Sequence, residues 1–364
     1  MSTPAGIYIH VPFCAQKCPY CDFYSGSYTF DKAERYAEAV CRNLTALPEH
    51  LPADTVYFGG GTPSLLRTDA LERMLDTIRK HCELSADAEI TIEVNPLTAT
   101  PAKLADWLRT GINRISIGIQ SFQPDVLRIL GRRHTPEQGK SAVLRAYEAG
   151  FRNISIDLML GLARQTESVW QNELKQAASL PVTHISSYLL KIEENTPFGT
   201  DPPDIQDDDT SADRYLQMDA LLTAKGFRHY EISNFAKPGY ESRHNCKYWR
   251  LQPYYGIGPA AHSCYGGVRY AVPRDLELFC STAVQPMDVT EPHAGTDTER
   301  VMLGLRLAEG IDLSNLPDRR ERLIRNAAPL IPHLLRLDGD RLSMTPQGWL
   351  VSNAVLVRLL SGIS

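Results

Sequence analysis

The sequence lacks any apolar run long enough to cross a bilayer, and its first residues do not carry the basic, apolar and cleavage segments of a secretory signal. Five of its eight cysteines are scattered without the spacing of a disulfide framework. These absences argue against a transmembrane span and against a small secreted scaffold. We expect a protein of the cytoplasm, where thiols stay reduced.

The sequence also lacks an excess of positive charge. Its 364 residues carry a formal net charge of −5, which argues against an extended nucleic-acid surface. From residue 291 onward there is no lysine, and nine arginines balance nine acidic residues, so DNA binding by that part is not expected. The length predicts one large domain with a smaller one beside it.

Three cysteines lie close together near the start of the chain. Cys14, Cys18 and Cys21 are separated by three and then by two residues, within the stretch from Tyr8 to Phe23. Two prolines keep this stretch from forming a helix, which indicates a loop after a short apolar strand. Thiolates at this spacing can converge on one metal centre.

The number of ligands favours an iron–sulfur cluster over a single ion. A structural zinc site takes four ligands, and the nearest fourth candidates, His10 and Asp22, are not at an ordinary zinc spacing. Three thiolates suit a [4Fe–4S] cluster with one iron open to an exogenous ligand. A zinc ion and three unrelated buried cysteines remain the alternatives at this point.

Six short apolar runs rich in β-branched residues alternate with segments of helical spacing. Strands that alternate with helices form a parallel sheet with right-handed crossovers, so we predict the α/β class. The predicted strands are Ile7 to Val11, Thr55 to Phe58, Glu89 to Val94, Arg114 to Ile119, Ile154 to Leu160 and His184 to Leu190.

The second half of the chain has weaker patterns. Residues 201–213 are acidic and are predicted to form a surface loop, and structure up to about residue 289 is expected to be mostly irregular. A predicted hairpin over 336–345, flanked by helical patterns, is typical of a small winged-helix-like domain. Further helices are predicted over 214–225, near 298–307, over 319–336 and from 346 to 360. The predicted division is a barrel, an extension and a C-terminal helical domain, over residues 1–200, 201–290 and 291–364.

Polar side chains lie near the ends of several predicted strands. Glu93, Gln120 and Asp157 lie where a barrel presents its functional groups, and Arg132 lies on a loop. Such groups can hydrogen-bond ribose hydroxyls or pair with a carboxylate. The glycines of Gly59–Pro63 allow the backbone to approach a small ligand. Capped turns, surface ion pairs and a tight turn explain each feature equally well on its own.

The cysteine spacing, with an aromatic residue before the last cysteine, resembles the signature of the radical S-adenosylmethionine (SAM) proteins. The resemblance implies a partial (β/α)6 barrel, a [4Fe–4S] cluster on the three cysteines, SAM bound at the open iron, and an electron donor for the cluster. By position, the residues that match the family's SAM contacts are Tyr8, Tyr20, Gly60, Gly61, Thr62, Glu93, Gln120, Arg132 and Asp157.

Over nearly its full length the chain resembles one group within that family, the oxygen-independent coproporphyrinogen oxidases, through motifs such as Ile92–Pro96 and Gly118–Phe122. The decarboxylating oxidases have a further cysteine two residues after the third ligand, where this chain has Phe23. Arg243–Trp249 is instead similar to the His-Asn-x-x-Tyr-Trp motif of the HemW-type haem chaperones. Gly256–Ser263 is also similar to that group.

A histidine beside aromatic residues can hold a porphyrin, because imidazole ligates iron and aromatic rings cover the macrocycle. We predict His244 as the iron ligand, with Cys246 and His262 as weaker candidates, although a packed and hydrogen-bonded loop is the plainer explanation. The motif lies well over two hundred residues beyond the cysteine loop and outside the predicted strands of the barrel, and this separation predicts that haem binds with or without the cluster. The predicted haem contacts are His244, Asn245, Tyr248 and Trp249.

The resemblance implies a haem chaperone on a radical SAM scaffold, with haem as its cargo and acceptor haemoproteins as its partners, respiratory proteins among them. The alternative is a radical SAM oxidoreductase acting on coproporphyrinogen III or another tetrapyrrole, and Phe23 argues against the first of these substrates. A scaffold without redox chemistry would require an empty cysteine loop. The sequence leaves the question of an enzyme open but favours binding and transfer, and no catalytic residue is assigned.

Overall fold

The computed structural model describes residues 3–362, and its largest feature is a twelve-stranded sheet. Within residues 3–362, no helix combines the length and the hydropathy needed to cross a membrane. The first eight strands are β1 (Ala5–Val11), β2 (Phe13–Cys14), β3 (Gly26–Ser27), β4 (Leu51–Gly60), β5 (Cys82–Val94), β6 (Arg114–Gln120), β7 (Asn153–Leu160) and β8 (His184–Leu189). The helices between them are α1 (Phe30–Leu44), α2 (Thr68–His81), α3 (Pro101–Arg109), α4 (Pro124–Ile129), α5 (Pro136–Ala149) and α6 (Glu167–Ser179).

The predicted partial (β/α)6 barrel is confirmed. Strands β1, β4, β5, β6, β7 and β8 pair in that order and all in parallel, while β2 and β3 pair with each other in the cysteine loop. Side chains alternate along each strand. In β1, Ile7 and Ile9 are fully buried in the core that the outer helices cover, while Tyr8 and His10 face the inside of the barrel.

The same sheet continues beyond both edges of the barrel. Strands β10 and β9 extend it from β8, and β11 joins β1 in parallel and leads into β12, β13 and β14. The prediction of mostly irregular structure here was wrong, because strands of three or four residues are too short to show alternation. The elements are α7 (Pro197–Thr200), α8 (Asp208–Ala224), β9 (Arg228–Glu231), β10 (Asn234–Ala236), α9 (Arg243–Trp249), β11 (Tyr254–Ile257), β12 (His262–Tyr265), β13 (Val268–Ala271), α10 (Leu276–Ser281) and β14 (Asp288–Glu291).

The acidic run predicted to be a surface loop is partly the start of helix α8. The helix begins at Asp208, earlier than predicted, because the carboxylate of Asp207 accepts a hydrogen bond from the amide of Thr210 at 2.7 Å. Carboxylates in the first turn also interact favourably with the positive end of the helix dipole.

The C-terminal part has a hydrophobic core of its own. Its helices flank a three-stranded sheet of order β15–β17–β16, and Gly339, with φ of +58°, forms the predicted hairpin turn. The predicted last helix is interrupted at Val351. We keep the predicted division as a proposal, although residues 201–290 share the sheet of the barrel. The elements are α11 (Asp297–Gly304), β15 (Ile311–Asp312), α12 (Pro317–Ala327), β16 (Leu335–Asp338), β17 (Arg341–Met344), α13 (Pro346–Leu350) and α14 (Ser352–Leu360). Within residues 3–362, 3-10 turns lie at Pro63–Leu65, Pro96–Thr98, Leu313–Asn315 and Ala328–Leu330.

Candidate functional site

The inside of the barrel forms one continuous cavity of about 1290 Å³. Typical small-molecule sites occupy roughly 300–1000 Å³, so this cavity exceeds what one such ligand requires. Nearly all residues singled out in the sequence line it, and His244 lies behind its wall. The predicted residues that line the cavity are Tyr8, Cys14, Cys18, Tyr20, Cys21, Gly60, Gly61, Thr62, Glu93, Gln120, Arg132, Asp157, Asn245, Tyr248 and Trp249.

The three cysteines of the loop are free thiols and are partly exposed to the cavity. The hydroxyl of Thr62 donates to Sγ of Cys14 at 3.5 Å, and Nη1 of Arg132 donates to Sγ of Cys18 at 3.6 Å. Such donors stabilise thiolates, which are the form that binds metal. Among residues 3–362, no three His, Cys, Asp or Glu side chains converge closely enough to hold one metal ion. The donor set of Cys14, Cys18 and Cys21 supplies three thiolates, which suits a [4Fe–4S] cluster with one open iron, whereas a structural zinc site takes four ligands.

The glycine loop after β4 uses its amides within the protein. The amide of Gly60 donates to Oε2 of Glu93 at 3.1 Å, and that of Thr62 donates to the carbonyl of Phe13 at 2.7 Å. A Cβ at Gly61 would lie 2.6 Å from that same carbonyl oxygen, so the loop packs against the cysteine loop only as glycine. Because the amides are used, the loop has carbonyl oxygens rather than N–H donors to present, which suits an ammonium group.

Glu93 is one of the acidic residues that line the cavity. Tyr57 donates its hydroxyl to Oε1 of Glu93 at 2.9 Å. Burial raises the pKa of the Glu93 carboxyl to about 7, the hydrogen bonds from Tyr57 and Gly60 lower it, and the nearby Asp157 raises it. The carboxyl therefore titrates near neutral pH, and a cationic ligand beside it favours its charged form.

Three further polar groups meet across β6 and β7. Nη2 of Arg132 donates to the carbonyl of Gly118 at 2.6 Å, while its buried Nε has no partner among the described residues. Ser116 donates to Oδ1 of Asp157 at 3.1 Å, and burial raises the pKa of Asp157. Gln120 has φ of +70°, an uncommon conformation for a residue with a side chain, and such strain concentrates at functional sites. The unpaired donor Nε of Arg132 and the strained backbone of Gln120 indicate a binding site for a polar ligand.

The predicted iron ligand, His244, does not fit that role in this structure. The side chain is fully buried, with Nδ1 2.8 Å from Oγ1 of Thr55 and Nε2 2.8 Å from the hydroxyl of Tyr248. Its ring stacks on that of Tyr57, with centroids 5.1 Å apart, and burial lowers its pKa to about 3. Iron coordination needs a ring nitrogen free of other partners, so His244 supports the aromatic wall. Cys246 is also buried, and burial raises the pKa of its thiol to about 12.

The fold brings the predicted haem motif close to the cysteine loop, although the two are far apart in the sequence. Helix α9 carries the motif, and the backbone amides of Arg243 and His244 donate to the carboxylate of Glu89 in β5 at 3.2 and 3.1 Å. These bonds fix α9 against the barrel, and Tyr248 and Trp249 therefore line the same cavity as the cysteines. The motif and the cysteine loop are far apart in the sequence. They come close in the fold because β11, which follows α9, returns to pair with β1.

Comparisons with known proteins identify the family of this chain. A family model of the radical SAM superfamily matches residues 8–177, and a model of the HemN C-terminal domain matches residues 298–351. The heme chaperone HemW of Escherichia coli strain K12 is 44% identical over 71% of this chain and 70% of its own length. The heme chaperone HemW of Mycobacterium tuberculosis strain H37Rv is 36% identical over 98% of this chain and 95% of its own. The chain belongs to the HemW family of radical SAM proteins.

The fold of this HemW-family chain is also that of a solved radical SAM enzyme. The coproporphyrinogen III oxidase HemN of Escherichia coli superposes with a TM-score of 0.83 over 98% of this chain and 90% of that one. The two are 22% identical, so the likeness concerns the fold.

Sequence reasoning missed several side chains of the cavity. Tyr57 holds Glu93, yet nothing in its local motif distinguishes it. The strand period of two could have found it, since it alternates with the buried Val56 and Phe58. His262 was only a weak candidate, although it lines the cavity and is exposed. The lining residues that were not singled out include Tyr57, Arg114, His184, Tyr188, Lys191 and Arg274.

Proposed function

We propose that this chain is a haem chaperone that binds a [4Fe–4S] cluster, SAM and haem, and that passes haem to acceptor haemoproteins. One observation carries the proposal: the cysteine triad, the polar groups that suit SAM, and the aromatic residues of α9 line one cavity of about 1290 Å³. A cavity above the size of a single small-molecule site has room for a second and larger ligand. Relatives named heme chaperone support the same conclusion.

In this proposal different residues of the cavity bind the cluster and SAM. Cys14, Cys18 and Cys21 hold the cluster, which supplies an open iron for SAM and, once reduced by a donor protein, an electron. The carbonyl oxygens of the glycine loop and the carboxylate of Glu93 accept from the ammonium group of SAM. The guanidinium of Arg132, which lines the cavity, suits its carboxylate.

The remaining predicted residues have complementary roles. Asp157 and the amide of Gln120 suit the ribose hydroxyls, and Tyr8 and Tyr20 shape the walls around SAM. The rings of Tyr248 and Trp249 give the macrocycle of haem an aromatic surface. In this proposal haem transfer takes place in the cytoplasm, and respiratory haemoproteins are among the acceptors.

The test separates binding from catalysis on one sample. The reconstituted protein is titrated with haem while the Soret band is followed, and a second aliquot receives coproporphyrinogen III, SAM and a reductant without oxygen. We expect one haem per chain and no protoporphyrinogen, because Phe23 stands where the oxidases have a further cysteine. Conversion of coproporphyrinogen III would replace the chaperone by the alternative, a radical SAM oxidoreductase.

A further inference from the structure

Three histidines line the cavity, and two of them have both ring nitrogens engaged. His10 lies 3.1 Å from a tyrosine hydroxyl through Nδ1 and 2.9 Å from a backbone carbonyl through Nε2. His184 lies between a serine hydroxyl at 2.8 Å and a tyrosine hydroxyl at 2.9 Å. The ring of His262 has no hydrogen bond to any residue in the range 3–362 and is exposed. It is the lining histidine with a nitrogen to offer to a metal.

Part of the wall beside His262 is apolar and built from small residues, and Asp288 of β14 stands next to Ala271 in the same wall. In the β12–β13 hairpin, His262 stands opposite Ala271, so both side chains are on the same face of the sheet. Ala260, Val272 and Pro273 line the cavity beside them. Small apolar side chains next to an imidazole leave a flat space in which one face of a porphyrin can pack.

The cysteine loop borders this space from the other side. Phe23 lines the cavity and is 64% exposed, a large unburied area for an aromatic ring. Nη2 of Arg274 donates to the carbonyl of Asp22 at 2.6 Å, and the amide of Leu276 donates to the hydroxyl of Tyr24 at 3.0 Å. These bonds hold the end of the hairpin beside the cysteine loop. Nη2 of Arg274 also pairs with the carboxylate of Asp22 at 3.6 Å, and the side chain remains 57% exposed, so a propionate can still reach the guanidinium.

We propose that His262 ligates haem iron, with the macrocycle between Phe23 and the β12–β13 hairpin and a propionate on Arg274. This inference rests on the proposed haem-binding function and names its ligand residue. It places haem beside the cysteine loop, where cluster and SAM occupy the neighbouring part of the same cavity.

The test compares His262→Ala with His333→Ala, a matched variant of an exposed histidine in the C-terminal part. We expect His262→Ala to weaken haem binding at least tenfold and to change the Soret maximum and the ferric electron paramagnetic resonance signal, and His333→Ala to leave all three unchanged. In His262→Gly, added imidazole should restore the Soret maximum, which a merely structural role of His262 would not allow.

The two proposals fail in different ways. If the unmodified protein takes up no haem, the proposed function itself fails. If the unmodified protein binds haem and His262→Ala binds it with the same affinity and spectrum, the assignment of His262 is overturned. If His244→Gln loses the haem signal while His262→Ala keeps it, the iron ligand is His244 on α9 and not His262.

Discussion

Nδ1 of His244 lies 2.8 Å from Oγ1 of Thr55, a residue 189 positions earlier in the chain. This contact joins α9 to a barrel strand at a fully buried position. The histidine of the motif thus holds the aromatic wall of the cavity in place.

We expect His244→Ala to lower the free energy of unfolding by about 3 kcal/mol, because it leaves the hydroxyls of Thr55 and Tyr248 buried and unpaired. Urea denaturation of the apo protein measures this. A double-mutant cycle with Thr55→Val should give a coupling energy of about 1 kcal/mol. Strictly additive effects would show that the contact contributes nothing.

The cluster prediction concerns the three cysteines of the loop. Replacing Cys14, Cys18 or Cys21 by Ser should reduce the iron content of the reconstituted protein from about four per chain to near zero, because a hydroxyl is a poor substitute for a thiolate. Cys280→Ser is the matched control and should keep all its iron. Equal loss in the control would contradict a cluster held by the loop alone.

The SAM prediction concerns two partly buried charges, Glu93 and Arg132. Glu93→Ala and Arg132→Ala should each weaken SAM binding by roughly ten- to hundredfold, the equivalent of about 1.5–3 kcal/mol for a charge-assisted hydrogen bond. The perturbation of the cluster spectrum by SAM gives the affinity. Glu83→Ala and Arg128→Ala, exposed charges on β5 and α4, should behave as the unmodified protein does.

The pH prediction follows from the raised pKa of Glu93. The pKa of Glu93 is about 7 in the folded protein and 4.5 ordinarily. Between pH 4.5 and 7 the carboxyl is therefore protonated in the folded protein and ionised in the unfolded chain. Relative to Glu93→Gln, the unmodified protein should therefore lose on the order of 3 kcal/mol of stability as the pH rises from 4.5 through 7. Urea denaturation from pH 5 to 8 measures the difference, and a constant difference would contradict the raised pKa.

The barrel was predictable because its signals are local. Each of the six strands has its own apolar run, such as Ile7 to Val11, and the cysteines that give the family lie within eight residues of one another. The matched motifs also lie at strand ends, where a parallel barrel brings them together without further information.

The arrangement of the second half was not predictable in the same way. Nothing near His244 indicates that its nitrogens bind Thr55 and Tyr248, since the first partner is on a distant strand. The importance of His262 was likewise concealed, because β12 is a four-residue strand whose inner face is defined only by its pairing with β13. The positions of His244 and His262 both depend on contacts between segments that the local sequence does not reveal.

The rate of haem transfer to a tagged apo form of a b-type haemoprotein tests the central claim most directly. The haem-loaded, cluster-reconstituted protein is mixed anaerobically with increasing acceptor, and the Soret band of the recovered acceptor is followed in time. A chaperone forms a complex with its acceptor, so the rate should rise with acceptor concentration and exceed spontaneous haem release. A rate independent of acceptor concentration and equal to spontaneous release would contradict the account.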